Sequence, residues 1–229
     1  MNTLYYKWTI ARKTRRDKGM LAVFAAIFRF LIKPIYQNDS YYLYRNQLRK
    51  DYDVSECDHR LDTHNLSFKV VSSNQEADGL EAEGYKFRSY PTDFNDNLTT
   101  YRRWLDCGVI AFCTFAEKEF AAISWIVPSQ QAQDKIKTLP LKVDYSNHEV
   151  LIRGSWTNPK YRGLGIFRFT AWNRNRFLIE KEITMFKSPV SCTKIVGQSL
   201  SDAMGGIKYG RGRMLKIMWW RFWRETSPV

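Results

Sequence analysis

Apolar runs of strand length dominate the middle of the chain. Residues 109–115 and 120–127 are two such runs, and residues 116–119 between them predict a four-residue hairpin loop. Leu66–Val71 and residues 150–157 are rich in β-branched and aromatic residues and predict two further strands. The centre of the chain is therefore expected to form a sheet.

Helical spacing of apolar residues occurs on both sides of these strands. Residues 75–87 and 93–105 predict two helices, and residues 130–145 a short helix followed by a loop. Residues 165–183 predict a long helix. Its inward side chains are expected to be Phe169, Trp172 and Leu178, and its solvated ones Arg168, Arg174, Arg176 and Lys181.

The remaining strands complete the predicted fold. Residues 41–44 and 185–190 predict single strands, with a short helix at 194–204. Residues 207–223 predict a strand pair that turns near residues 210–212, where two glycines lie close together. This order indicates an α/β (α+β) fold with a mixed, mostly antiparallel central sheet flanked by helices.

Composition adds a strong positive charge to this picture. The 229 residues carry a net charge of +13, and 15% of them are aromatic, which together predict an anionic partner. The four cysteines are scattered, as in a cytoplasmic protein with reduced thiols. Cys57, Asp58, His59, Asp62 and His64 lie close in sequence, but without paired CxxC spacing they favour a polar loop over a metal site.

The first forty residues differ from the rest and are predicted to form a basic appendage, with the main domain at 41–229. Basic residues precede an apolar stretch at 20–32, which Pro34 ends. The stretch is too short to span a membrane and is not followed by a cleavage site. Two interpretations stay open: peripheral contact with acidic lipid on the inner membrane face, or packing on the domain or a second subunit.

One segment between a strand and a basic helix carries clear chemistry. Amide groups near a helix N-terminus converge on anions, and glycines let a phosphate approach the backbone. No P-loop string and no third glycine of a dinucleotide fingerprint occur here. The predicted phosphate cradle consists of Arg162, Gly163, Leu164, Gly165, Ile166 and Phe167.

This string resembles the acyl-CoA pyrophosphate loop of the GNAT superfamily of N-acyltransferases, written R/Q-x-x-G-x-G/A. Arg162 and Gly165 fill the first and fourth positions, while Phe167 departs from the sixth; starting at Lys160 shifts the departure to the first position. The resemblance covers roughly residues 106–229 and includes a glycine-rich turn at 205–210. It implies a GNAT-like fold with acetyl-CoA or another acyl-CoA as co-substrate.

The resemblance also implies roles for residues outside the loop. The backbone at Trp156 and Thr157 would hold the thioester and pantetheine, and Glu149 would be the general base, although an exposed strand-end carboxylate is an equal interpretation. Many members use a tyrosine as general acid in the helix before the last turn. No tyrosine occurs there, and Ser201 is closest to its position.

Three functions remain open from the sequence. The first is an N-acyltransferase, acting on a primary amine of a small molecule such as an amino sugar on a nucleotide or lipid carrier. The second is an acyl-CoA-binding protein without turnover. The third is a basic module for acidic membranes or nucleic acid, because residues 219–224 interleave tryptophan, phenylalanine and arginine. Nucleic acid is the less favoured partner, and the sequence leaves the oligomeric state open.

Overall fold

The computed structural model describes residues 20, 36–48, 66–87, 98–136 and 139–227. The predicted helix at 20–32, apart from Met20, and the Cys57 to His64 segment lie outside these residues. The strands are β1 Tyr36–Gln47, β2 Leu66–Val71, β3 Ile110–Ala116, β4 Glu119–Val127, β5 Glu149–Thr157, β6 Met185–Ser191, β7 Ile207–Ile217 and β8 Trp220–Thr226. The helices are α1 Asn74–Ala82, α2 Leu98–Asp106, α3 Gln130–Lys135, α4 Ile166–Glu180 and α5 Ile195–Ala203.

The strands form one mixed sheet in the order β2-β3-β4-β5-β6-β1-β7-β8. The pairs β2–β3, β3–β4, β4–β5 and β1–β6 are antiparallel, and the pair β5–β6 is parallel. The predicted α/β (α+β) class with a mixed, mostly antiparallel sheet flanked by helices is confirmed. None of the helices in the described ranges is long and apolar enough to cross a membrane.

Two compact units make up the chain. The smaller comprises Met1–Ser40 and Gly212–Glu225, and the larger comprises Tyr41–Arg211 and Thr226–Val229. The core of the larger unit lies between the sheet and α4. It contains Phe112, Ile126, Val150, Ile152, Leu178 and Phe186, all buried.

Two turns differ from the sequence prediction. The β3–β4 loop has two residues rather than four, since β3 ends at Ala116 and β4 begins at Glu119. Glu117 in this turn has φ of 55°, and positive φ values let a two-residue turn follow the twist of the strands.

The β7–β8 turn lies at residues 218–219, so the prediction of a turn at residues 210–212 is wrong. Both glycines lie inside β7. These positions are occupied by glycine because other atoms approach the backbone closely there. A Cβ on Gly210 would be 2.7 Å from the Thr226 carbonyl oxygen, and one on Gly212 would be 2.1 Å from the Trp223 ring. Glycine inside a strand here indicates a close approach and not a turn.

Helix α4 also departs from its predicted faces. Arg174, expected to be solvated, is 2% exposed, while Phe169 and Trp172 are only half-buried. The Arg174 guanidinium donates to Ser124 Oγ at 2.9 Å and to Asn175 Oδ1 at 2.8 Å, and it lies 5.0 Å from the centre of the Phe186 ring. Hydrogen bonds and a ring face therefore compensate the charge for its lost hydration.

Candidate functional site

Strands β5 and β6 pair over only three residues and then diverge. Their register runs from Glu149 opposite Met185 to Leu151 opposite Lys187. Beyond this point β5 continues alongside β4, and β6 continues alongside β1. In the described part of both strands, the edge of β5 from residue 152 to 157 thus faces an opening and not a partner strand.

A bulge lies at the start of this open edge. Where β5 runs along β4, Arg153 and Gly154 together stand opposite Trp125, which shifts the register by one residue. Gly154 has φ of 76°, a conformation that glycine adopts at little cost. Gly154 inside the predicted strand at 150–157 is a sequence signal for such a bulge, which was not predicted.

The loop that follows β5 turns back on two glycines. A 3-10 helix at Pro159–Tyr161 leads into it, and α4 begins at Ile166. Gly163 and Gly165 have φ values of 80° and 76°, in the left-handed region that side chains disfavour. A Cβ on Gly163 would meet no atom within 4 Å, so open space lies in front of its backbone.

Helix α4 presents its first amide groups without a side-chain cap. Its N-cap residue is Gly165, which has no side chain, so the leading N–H groups are left for solvent or a ligand. The helix dipole adds about half a positive charge at this end. Arg162 and Arg168 are exposed nearby in sequence, and Arg162 Nε donates to the Thr157 carbonyl at 3.1 Å.

The structure brings all six predicted loop residues into this one turn. Ile166 is 1% exposed and packs with Ala121, Ala122 and Tyr161, so only its backbone can reach a ligand. Leu164 and Phe167 are half-buried. The arrangement fits an anion that is bound by backbone amides and a nearby arginine.

Trp156 and Thr157 lie at the far end of the open β5 edge. Trp156 is 6% exposed, and its ring stacks on Phe120 with 6.1 Å between centroids. Its side chain is part of the core, which leaves the backbone as the only part that can contact a ligand. The contact of the Trp156 and Thr157 backbone with a thioester and pantetheine, which the sequence resemblance implies, stays a prediction.

Glu119 anchors the start of the loop and was not singled out from the sequence. Its Oε2 atom accepts hydrogen bonds from Lys160 Nζ at 2.5 Å and from Tyr161 Oη at 2.7 Å. These two bonds, with that from Lys160 the larger influence, lower the pKa of Glu119 below its ordinary value of 4.5. The carboxylate thus joins the β3–β4 hairpin to the 3-10 helix before the glycine turn.

We expect this anchor to depend on pH. Because the pKa of Glu119 is lowered by folding, the stabilisation is present above pH 4.5 and is lost as the pH falls through the lower folded-state value. Glu119→Gln should slightly lower the urea midpoint of unfolding at pH 7 and have no effect in strong acid. Glu117→Gln, an exposed carboxylate two residues away, is the control. An equal effect of Glu119→Gln at both pH values would contradict the assignment.

Glu149 is buried at the start of β5 rather than exposed at its end. It is 8% exposed, and its Oε2 atom accepts from the Asp144 N–H at 2.8 Å and from Lys187 Nζ at 2.7 Å. Lys187 also donates to the Lys142 carbonyl at 3.1 Å. The interpretation of Glu149 as an exposed carboxylate is therefore wrong, whereas its role as a base stays a prediction. The carboxylate lies three residues, or about 10 Å along the strand, from the point where β5 and β6 diverge.

Ser201 lies on α5 and bonds to its own helix. Its hydroxyl donates to the Gly197 carbonyl at 3.0 Å, and its own carbonyl accepts from the Gly206 N–H at 2.9 Å. Hydroxyl bonds to the preceding turn are common for serine inside helices. The assignment of Ser201 as general acid has no contact in the described residues that supports it.

A tyrosine does lie close to α5, but it comes from β1. Tyr44 is completely buried, and a Cβ on Gly206 would be 3.1 Å from its ring. Burial, followed by the neighbouring Asp202, raises the pKa of Tyr44 to about 12. A side chain with no exposed surface cannot reach a substrate in this conformation, so Tyr44 is a core residue here.

The comparisons with known proteins concern the fold. No family model matches the sequence, and no curated protein matches it. Among solved structures, the GCN5-related glucosamine N-acetyltransferase region of a fungal multi-domain β-N-acetylglucosaminidase aligns with 90% of this chain and 23% of its own, at 16% identity and a TM-score of 0.51.

Two further matches have lower TM-scores. A GCN5-related N-acetyltransferase from Sphaerobacter thermophilus aligns over 92% of this chain and 58% of its own, with 11% identity and a TM-score of 0.47. A conserved protein of unknown function from Staphylococcus epidermidis aligns over 89% and 68%, with 9% identity and a TM-score of 0.49. The chain thus spans less than two thirds of the length of the first two of these three proteins.

Proposed function

We propose that this chain, which has the fold of the GCN5-related N-acetyltransferases, transfers an acyl group from acyl-CoA to a primary amine. One observation carries the proposal: strand β5, after it has diverged from β6, leads into a glycine turn and an uncapped helix. A long thioester with a pyrophosphate needs both parts, an extended backbone edge for its arm and an anion site for its phosphates.

Each part of this site has a distinct task. The amides at the start of α4, with Arg162, bind the pyrophosphate, and the open edge of β5 up to Trp156 and Thr157 accepts hydrogen bonds from, or donates them to, the pantetheine amides. A bulge such as the one at Gly154 changes the direction of backbone groups in its strand, which suits contact with a ligand. A backbone N–H on this edge can polarise the thioester carbonyl, which is usually the larger catalytic contribution.

Glu149 supplies the base in this proposal. The amine that attacks the thioester carbon must be neutral, and a carboxylate at this distance can accept its proton through a chain of waters. The thioester C–S bond breaks as the new amide bond forms, and the sulfur of CoA takes up a proton. Lys187 and the Asp144 N–H hold the Glu149 carboxylate in one orientation.

The acceptor is proposed to be an amino sugar on a nucleotide or lipid carrier. A surface pocket beside Glu149 supports this idea, since Asp144 and Lys187 belong both to its lining and to the contacts of Glu149. The lining residues are Gln130, Lys142, Val143, Asp144 and Lys187. The ammonium group of Lys142 suits an anionic carrier group, and the carboxylate of Asp144 suits an amine.

A non-catalytic acyl-CoA-binding protein is the second candidate. It is favoured by helix α5, which contains no tyrosine, and by the Ser201 hydroxyl, which is bonded to its own helix. Both candidates require the same cofactor loop. They differ in whether thiol is released.

Calorimetric titration with acetyl-CoA, CoA and a longer acyl-CoA tests the shared part. Saturable binding supports both candidates, and the preferred chain length reports what the half-buried Phe167 leaves room for. Thiol release measured with a panel of amino sugars then separates the two, because only the transferase releases CoA. Absence of binding at millimolar ligand would refute both.

A further inference from the structure

The turn between β7 and β8 exposes a cluster of large apolar side chains. Trp219 is 73% exposed, Trp220 60% and Phe222 52%. Ile217 and Met218 beside them are 43% and 48% exposed. These five residues, called the hairpin tip below, all belong to the smaller unit. Contiguous apolar patches of this kind usually mark an interaction site.

Two aromatic residues of the hairpin tip lie on the face of β8 opposite to its half-buried aromatic residue. Residues alternate between the two faces of a strand, and Trp223 is the half-buried aromatic of β8. Gly212 leaves room for its ring, because a Cβ there would overlap it. Trp220 and Phe222 lie on the opposite face and stack on each other, with 6.4 Å between centroids and 5° between ring planes.

Cations flank the hairpin tip in the sequence. Between residues 212 and 225 the only acidic residue is Glu225, whereas the cations are Arg213, Lys216, Arg221 and Arg224. A second copy of a chain with a net charge of +13 would be repelled by this surface. The charge therefore selects an anionic partner.

The chemistry of the tip selects among anionic partners. Aromatic side chains can stack with nucleic-acid bases, but the aliphatic Ile217 and Met218 at the turn offer nothing to a base. A membrane interface accommodates all five: tryptophan prefers the headgroup level, aliphatic side chains enter the acyl boundary, and nearby cations contact lipid phosphates. Each cation near an acidic membrane adds attraction that salt weakens.

We propose that the hairpin tip inserts into the interface of membranes that contain anionic lipids and so holds the protein at their surface. This proposal rests on the smaller unit alone. It is independent of acyl transfer, which depends on residues of the larger unit, so either proposal can fail without the other.

Sedimentation of the full chain with lipid vesicles tests it. Vesicles of phosphatidylcholine are compared with vesicles of phosphatidylcholine mixed with phosphatidylglycerol, at low and high salt. We expect binding to the anionic vesicles only, weakened by salt, with a blue shift of tryptophan fluorescence. Replacing both Trp219 and Trp220 by alanine should weaken binding about tenfold or more.

The matched control is Ile195→Ala combined with Val196→Ala. These side chains are 75% and 83% exposed on α5, away from the tip in sequence, and their loss should leave vesicle binding unchanged. All four side chains are exposed, so thermal melting should show both variants folded. The proposal is overturned if the wild type does not bind anionic vesicles, or if the tip variant binds them as well as the wild type does. It is also overturned if the wild type binds oligothymidine more tightly than anionic vesicles.

Discussion

Replacing Gly163 by leucine is expected to weaken CoA binding about 100-fold or more. Gly163 has φ of 80°, and its open side is where the phosphates would lie, so a side chain there would occupy the anion position. Hydrogen bonds from backbone N–H groups to a charged group contribute about 1.5–3 kcal/mol each, and the loss of two such hydrogen bonds accounts for this factor. Calorimetric titration with CoA measures the change.

Gly108→Leu is the matched control. Gly108 has φ of 83° and likewise no atom within 4 Å of a built Cβ, but it lies between α2 and β3. Both variants carry a conformational strain of about 1–2 kcal/mol, which should lower Tm by roughly 2–8 °C in each. If Gly163→Leu and Gly108→Leu bind CoA equally well, the glycine turn does not hold the pyrophosphate.

Replacing Glu149 by glutamine is expected to lower kcat about 100-fold or more with little change in CoA affinity. A general base contributes about 10²–10⁴-fold, and glutamine cannot accept the proton of the amine. Its carbonyl oxygen can still accept the Asp144 N–H, so the start of β5 should be retained. The pH–rate profile of this variant should differ from that of the wild type.

Two further variants separate a base from a structural carboxylate. Lys187→Met removes the ion pair with Glu149 but leaves the carboxylate. If the pair is only structural, Lys187→Met and Glu149→Gln should lower Tm alike and leave the pH–rate profile of the wild type. Glu180→Gln is the neutral control, because this residue forms an ion pair with the exposed Arg176 on α4.

The hydrophobic pattern predicted most of the fold because the central strands are buried on both faces. Leu66–Val71 was predicted with its observed bounds, and β3, β4 and β5 to within one residue. The sequences of β3 and β4 are continuous apolar runs of strand length, so their positions could be predicted directly.

Side-chain pattern was less informative where a polar residue is buried or where glycine packs. The charge of Arg174 predicts a solvated side chain. Only the fold shows that its guanidinium donates to Ser124 and lies over the Phe186 ring. The glycines of β7 were assigned to a turn because the ring of Trp223 cannot be placed against Gly212 from the sequence. Both errors arose from contacts between residues far apart in the chain or across a hairpin.

The candidate site shows the same division. The glycine turn could be predicted because local conformation decides it, and Gly163 and Gly165 both adopt positive φ. The anchoring role of Glu119 could not, since it depends on the β3–β4 hairpin lying beside the 3-10 helix. The environment of Glu149 likewise depends on Lys187, which comes from the next strand of the sheet.

The position of β1 has a consequence for how the chain folds. Its residues 41–47 pair with β6, with Tyr41 opposite Ser191, so this contact spans most of the sequence. Contacts between distant residues form slowly, because a long loop must close first. During synthesis β1 leaves the ribosome before β6, and the two strands cannot pair until β6 has emerged. The buried side chains of Leu43 and Tyr44 remain uncovered during that interval. The first of the described strands is thus among the last of them to find its partners.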